Sequence, residues 1–166
     1  MKQRGWWLWP AALLIYTMVI FGHSMMSAVQ SSAESGYVLA WLHGFLNRFG
    51  IEATWLTEHV VRKCAHFTEY AGLGVLLFLD ARSCCAACSE TWRGTLRWLH
   101  GAAVFLIPFV DETIQLFSPG RSGQISDVWL DMSGAAAGFL AAASAAHIWM
   151  AIRSSDRNKG FRRLEL

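Results

Sequence analysis

The feature that most constrains this chain is a series of apolar stretches that are each long enough to cross a lipid bilayer. A membrane-spanning helix needs about 20 mostly apolar residues, and such stretches cover about residues 6–22, 60–79, 98–117 and 125–150. The composition agrees, because 54% of the residues are hydrophobic and 16% are charged, whereas a soluble domain has about 25% charged residues. We therefore predict a single all-α domain over residues 1–166, a membrane bundle of four transmembrane helices.

The basic residues of the connecting segments predict how these spans are oriented, because Lys and Arg concentrate in cytoplasmic loops. In a four-span chain the N-terminal tail, the loop between spans two and three, and the tail 151–166 lie on one side. These segments carry most of the basic residues, namely Lys2, Arg4, Arg82, Arg93, Arg97, Arg153, Arg157, Lys159, Arg162 and Arg163. We therefore expect a multi-pass protein of the cytoplasmic membrane with both termini in the cytoplasm.

The first external loop contains an amphipathic pattern of its own. Tyr37, Trp41, Phe45 and Phe49 recur at helical spacing within a stretch of about 36–49. A helix of this length is too short to span the bilayer, and few charges cover its other face. We expect it to lie in the outer membrane interface or to cover the other spans.

The antiparallel order of the spans brings polar and ionisable residues from three helices to a similar depth near the extracytoplasmic face. They are Arg62, Lys63, His66 and Glu69 in span two, Asp111, Glu112 and Gln115 in span three, and Arg121, Asp127 and Asp131 around the start of span four. A charge that faces lipid at mid-membrane depth costs about 2.5 kcal/mol or more. These side chains are therefore expected to face one another or trapped water, and together they form a candidate site.

The residue types in this set predict two kinds of role. The catalytic candidates are His66, Glu69, Asp111, Glu112 and Asp127. The substrate-binding candidates are Arg62, Lys63, Gln115, Arg121 and Asp131. His66 is the natural proton carrier, oriented by Glu69 or by a carboxylate of span three, and the cations would hold a phosphate or carboxylate. A nucleophile is harder to find, because none of the nearby serines, Ser118, Ser122 and Ser126, lies in a nucleophile-elbow sequence.

Several alternatives remain open from the residues alone. The charges could form an ion-pair network that only holds the bundle together, or a groove that binds a lipid without turnover. His66 and Glu69 with nearby carboxylates could also hold a divalent cation, although we assign no metal and no cofactor. Proton or ion translocation is disfavoured because the polar groups stop about halfway across. The net charge of +2 without a basic stripe argues against nucleic-acid binding, and the oligomeric state stays open.

Small and sulfur-containing residues give further expectations about packing. Gly134 and Gly138 follow Asp127 and Asp131 on one helical stripe, so a neighbouring helix can approach closely there. A cluster of three cysteines, at positions 84, 85 and 88, is placed in the cytoplasmic loop as reduced thiols. The histidines outside the site are interpreted as interfacial or capping residues; they are His23, His43, His59, His100 and His147.

The motifs taken together resemble the VanZ-like family. They are Arg62-Lys63-x-x-His66-Phe67-x-Glu69-Tyr70, then Asp111-Glu112-x-x-Gln115-x-Phe117-x-Pro119-x-Arg121, and then Asp127 followed by Gly134 and Gly138. The resemblance runs from about Trp6 to Ala146, and at Asp131 the family would as readily have Asn. The family's namesake is associated with resistance to teicoplanin, a glycopeptide antibiotic. The resemblance thus implies a bacterial cytoplasmic-membrane protein with a shared polar site, whose expected partner is a membrane lipid or a lipid-linked envelope precursor, but it supplies no reaction.

Overall fold

The computed structural model describes residues 7–121 and 123–162, with side chains as far as residue 155. Within these residues the chain forms helices and no strand, so the all-α prediction is confirmed. The helices are α1 (Leu8–Ser24), α2 (Ala28–Asn47), α3 (Glu58–Ala87), α4 (Glu90–Gln115) and α5 (Ile125–Arg162). The predictions for Lys2, Arg4, Trp6, Ser122 and Arg163, and for the side chains of Arg157, Lys159 and Arg162, lie outside this description.

Polar residues set the start of the two helices that flank the first loop. Ser27 accepts a hydrogen bond from the Gln30 backbone N–H, and the Gln30 side chain accepts one from the Ser27 N–H, which is a capping box. This cap starts α2 eight residues before the predicted helix, and α1 and α2 are bent by 105° at the break before it. Thr57 caps α3 in the same way through the Val60 N–H.

The prediction of a loop between spans two and three is wrong, because most of this segment is helical. Only Cys88 and Ser89 separate α3 from α4, so Arg82 lies on α3 while Arg93 and Arg97 lie on α4. Charged residues end a membrane span but not a helix, because Arg has a high helix propensity. The Arg93 guanidinium also ties the two helix ends together by donating to the Cys85 carbonyl at 2.9 Å.

Helix α3 is the centre of the fold and contacts each of the other four helices, most extensively α5. Gly134 packs against the Phe67 carbonyl, and a Cβ at Gly138 would overlap the Ala71 carbonyl. The predicted close approach at these glycines is confirmed. The contact four residues further along α3, at Ala71, is made by a residue four further along α5, Gly138. The two helices therefore run parallel.

Helices α1 and α4 run opposite to α3. Asp80 near the end of α3 meets His100 in the first half of α4, whereas Tyr70 lies near Asp111 towards the end of α4. On the other side, Tyr16 of α1 reaches Glu69 and Gly72 of α3. The buried core lies where these helices meet and consists of Ile20, Tyr70, Leu73, Leu77, Val104 and Ala135.

The outer surface of the bundle is largely apolar, which suits a membrane protein. Large apolar side chains point outward from α1, α2, α4 and α5, including Leu14, Met18, Trp41, Phe105, Phe109, Leu140 and Ile148. Helix α3 and the segment 125–155 of α5 are long and apolar enough to cross a membrane, and α1 with α2 qualifies only as a bent pair. Length and composition of the described residues therefore support two or three spans, and the count of four stays a prediction.

Candidate functional site

A cavity of about 270 Å³ opens between α1, α2, α3 and the loop that joins α4 to α5. The helices contribute polar and ionisable side chains to it, together with apolar side chains that make up most of its lining surface. Its charged and titratable lining residues are His23, Glu34, Arg62, His66, Glu69 and Arg121. Four of these six, Arg62, His66, Glu69 and Arg121, belong to the set predicted from the sequence, and they line one cavity.

A second cavity, of about 130 Å³, lies on the other side of His66. It is lined by Lys63, Gln115 and Asp127 among others, and it shares Arg62, His66 and Arg121 with the first cavity. These three shared side chains therefore border both openings. We call the two cavities and their lining residues the His66 site.

The imidazole of His66 faces α5 at a distance longer than a hydrogen bond. Its Nδ1 lies 3.6 Å from Oδ1 of Asp131, whose side chain is completely buried. Since Nδ1 is also buried, Nε2 is the ring nitrogen that can reach a molecule in the cavities. The predicted partner, Glu69 or a carboxylate of span three, is wrong, because the glycine contacts bring Asp131 directly opposite His66.

Glu69 pairs instead with a histidine that sequence reasoning placed outside the site. Its Oε1 lies 3.0 Å from Nδ1 of His23 at the end of α1, and its backbone carbonyl accepts a hydrogen bond from Tyr16 at 3.0 Å. The interpretation of His23 as only interfacial or capping is therefore wrong. The sequence did not indicate this pairing, because His23 follows the predicted external end of span one while Glu69 lies nine residues inside span two.

Three carboxylates beneath the cavities are buried and only partly satisfied. Gln115 Nε2 donates to Asp111 Oδ2 at 3.2 Å, and the Gln124 backbone N–H donates to Glu112 Oε1 at 2.6 Å. The remaining oxygens of Asp111 and Glu112 and both oxygens of Asp131 have no hydrogen-bond partner among the described residues. A buried polar atom without a partner is costly, so these oxygens mark where a proton, a water molecule or a polar ligand group would be stabilised.

The cations of the site differ in how they are engaged. Lys63 Nζ lies 3.4 Å from Oδ1 of Asp127, so this carboxylate is neutralised by a neighbour. The side chains of Arg62 and Arg121 form no ion pair or hydrogen bond with a described residue. Burial lowers the pKa of Arg121, and the nearby Arg62 charge lowers it further. Arginine remains protonated in proteins, so two free guanidinium groups approach one another at the border of both cavities.

The loop that carries Arg121 is fixed against the corner between α1 and α2. Ser118 donates to the Ser24 carbonyl at 2.7 Å, and the Ala28 N–H donates to the Pro119 carbonyl at 3.1 Å. Gly120 adopts a positive φ of 74°, which only glycine takes without strain. Ser118 is thus a buried structural donor, while Ser126 is exposed and bonded to its neighbours.

A second buried polar pair lies at the opposite end of the bundle, and the sequence did not predict it. His100 Nε2 lies 2.9 Å from Asp80 Oδ2, and Nδ1 lies 2.7 Å from the Leu96 carbonyl. Cys84, on the last part of α3, donates to the other Asp80 oxygen at 3.3 Å. The interfacial interpretation of His100 and the placement of Cys84 in a loop are therefore both wrong.

The sequence left open a divalent cation held by His66, Glu69 and nearby carboxylates. Among residues 7–121 and 123–155, no group of three or more His, Cys, Asp or Glu side chains is arranged to hold a metal ion.

A protein-family model described as VanZ/LLP1 matches residues 8–148, which include every residue of the His66 site. The chain belongs to the VanZ-like family. No curated protein and no solved structure matches the chain. The family match thus agrees with the resemblance that the charged motifs show. The match assigns no role to individual residues, so the roles discussed below are inferred from the geometry of the VanZ-like site.

Proposed function

We propose that this VanZ-like protein binds the phosphate or carboxylate group of a membrane lipid or lipid-linked envelope component at the His66 site. The observation that carries the proposal is the pair of free guanidinium groups of Arg62 and Arg121 at the border of two cavities. Guanidinium groups bind such anions through paired N–H donors. Two arginines that form no ion pair with a described residue repel one another, and an anion between them would remove this repulsion.

The direction of the helices supports a placement in the membrane. Helices α1 and α4 run one way and α3 and α5 the other, as four successive spans would. In this arrangement both termini lie in the cytoplasm, the His66 site opens towards the outer face of the bacterial cytoplasmic membrane, and α2 lies in the outer interface. The exposed aromatic side chains of α2, such as Trp41 and Phe45, suit that position.

A second candidate function is acid–base catalysis on the bound ligand. The observation that favours it is the pairing of His66 Nδ1 with the buried Asp131, which leaves Nε2 towards the cavities. A histidine held in this way can accept and return a proton. A lipid altered or retained at the outer leaflet would in turn change the access of teicoplanin-type antibiotics to envelope precursors, which is how the namesake's association would apply to this chain.

Lipid binding by arginine variants tests the first proposal. The full chain is purified in detergent, delipidated, and titrated with phosphatidylglycerol, phosphatidylethanolamine and an uncharged diacylglycerol of the same acyl chains, with native mass spectrometry as the readout. We expect both phospholipids to bind better than diacylglycerol, and Arg62→Gln and Arg121→Gln each to weaken phospholipid binding about tenfold, because each removes charge-assisted hydrogen bonds. The matched control is Arg48→Gln, an exposed arginine outside both cavities.

Equal binding of all three lipids, or equal losses in Arg48→Gln, would contradict the binding proposal. Stoichiometry then separates the two candidate functions. A chemically altered lipid that accumulates beyond one equivalent per protein establishes turnover, whereas unaltered lipid at one equivalent establishes binding.

A further inference from the structure

The larger cavity of the His66 site holds unpaired charges of both signs. Glu34 of α2 lines it together with Arg62 and Arg121, and the Glu34 carboxylate forms no ion pair or hydrogen bond with a described residue. Glu34 acts electrostatically on Arg121, yet no salt bridge joins the two side chains. Charges that would attract one another are therefore held apart in a single cavity of about 270 Å³.

Helix periodicity explains why α2 presents a carboxylate here. Ser31, Glu34, Ser35 and Val38 are spaced three and four residues apart, so they share the face that lines the cavity. The exposed aromatic residues Trp41 and Phe45 continue this stripe further along α2. The first half of the stripe, with Glu34, thus forms the acidic wall of the cavity.

Glu69 extends the acidic character of this cavity. Only its Oε1 is engaged, with His23 Nδ1, and its Oε2 forms no hydrogen bond with a described residue. The side chain of Glu69 is 24% exposed and that of His23 is 60% exposed, so this pair remains accessible to a ligand. The cavity therefore offers donors for an anion and acceptors for a cation.

We infer that the ligand headgroup carries a primary ammonium group in addition to its phosphate. This inference rests on the proposed function and specifies its ligand. The phosphate pairs with Arg62 and Arg121, and the ammonium pairs with Glu34 and the free oxygen of Glu69. The chemical class is that of phosphoethanolamine, in which one phosphodiester and one ammonium are separated by a two-carbon chain.

The same charges disfavour other headgroups. A purely anionic headgroup such as phosphoglycerol meets repulsion from Glu34 without compensation, which is how an unpaired like charge produces specificity. A quaternary ammonium, as in phosphocholine, keeps the positive charge but has no N–H to donate to a carboxylate. The cavity should therefore bind phosphoethanolamine lipids more tightly than phosphoglycerol or phosphocholine lipids.

The test uses the full chain, delipidated in detergent, with phosphatidylethanolamine, phosphatidylglycerol and phosphatidylcholine of identical acyl chains. We expect phosphatidylethanolamine to bind about fivefold tighter than either of the others, which is the upper range for a solvent-accessible ion pair. Glu34→Gln should strengthen phosphatidylglycerol binding and reduce the preference to less than about twofold. The matched control is Glu52→Gln, an exposed glutamate outside the cavity, which should leave the preference unchanged.

Soluble headgroups locate the recognition within the lipid. Phosphoethanolamine should displace bound phosphatidylethanolamine better than glycerol phosphate does, and equal displacement would overturn the inference. If phosphatidylglycerol binds as tightly as phosphatidylethanolamine while Arg121→Gln weakens both, the proposed function stands and the ammonium inference fails. If Arg62→Gln and Arg121→Gln leave all lipid binding unchanged, the proposed function fails, and the inference that rests on it fails too.

Discussion

The charged residues around His66 differ in which partner each one contacts, although the sequence predicts a similar depth for them. Its Nδ1 faces the buried Asp131, while its neighbour Lys63 neutralises Asp127 and Glu69 engages His23. Each carboxylate of the predicted set therefore has a different local environment. Asp131 combines full burial with two oxygens that lack hydrogen bonds, which suits a group that stabilises a protonated imidazole beside it.

At the residue scale we predict that Asp131→Asn impairs a proton-transfer function and spares lipid binding. Asn keeps the shape of the side chain but cannot stabilise an imidazolium ion, so His66 loses its electrostatic partner. In cells that express the protein, His66→Ala should abolish the proposed effect on lipid composition and teicoplanin susceptibility, and Asp131→Asn should weaken it. Purified Asp131→Asn should bind phospholipid within about twofold of the wild type, because the free arginines are unchanged. Wild-type lipid composition and susceptibility in both variants would contradict the catalytic candidate.

Two kinds of contact hold the elements of the bundle together. Glycine and alanine let the backbones of α3 and α5 approach closely, with Gly74 against the Ala135 carbonyl and Gly138 against the Ala71 carbonyl. A buried ion pair, Asp80 with His100, joins α3 to α4. Both His100 ring nitrogens face acceptors, the Leu96 carbonyl and the Asp80 carboxylate, so the imidazole is held between α3 and its own helix.

At the element scale we predict that the Asp80–His100 pair is sensitive to loss of one partner and tolerant of loss of both. Asp80→Leu or His100→Leu alone should destabilise the bundle by about 3–5 kcal/mol, because the remaining group is left buried and unpaired. The double variant should be closer to the wild type than either single variant. Thermal unfolding in detergent measures this, and Glu90→Gln, which breaks the exposed pair with Arg93, serves as the control with a small effect. Additive losses in the double variant would contradict the prediction.

The whole molecule is built around α3, and its two ends differ in chemistry. One end gathers the cavities and the free arginines of the His66 site, and the other gathers the Asp80–His100 pair, the short α3–α4 connection and three of the cysteines. The proposed topology places the first end outside and the second end in the cytoplasm.

At the scale of the whole molecule we predict that cysteine accessibility reports this topology. In a chain whose other cysteines are replaced by serine, Glu52→Cys in the α2–α3 loop should react with a membrane-impermeant maleimide in intact cells. A chain that retains only Cys88, between α3 and α4, should react only after permeabilisation. Labelling of Cys88 but not of the Glu52→Cys chain in intact cells would reverse the proposed orientation.

Features of the site that depend on spacing along one helix could be predicted, and features that depend on how helices pack could not. The glycine stripe and the shared helical face of His66 and Glu69 follow from local spacing, and they were available from the sequence. The extended helices α3 and α4 were not, because the hydropathy that marks a span falls at charged residues where the helix itself continues. The partner of His66 could not be predicted either, since helical spacing fixes a face but not the rotation of that face towards a neighbour.

The sequence by itself determined the all-α class, the VanZ-like family and the set of ionisable residues around His66, because these depend on residue types and on spacing along one helix. Only the tertiary structure decided which groups pair, since pairing depends on how closely α3 approaches each neighbour and at which register. It assigned Asp131 to His66 and His23 to Glu69, and it left the side chains of Arg62 and Arg121 without an ion pair or hydrogen bond among the described residues. Those unpaired charges, rather than the pairs, support the proposed ligand.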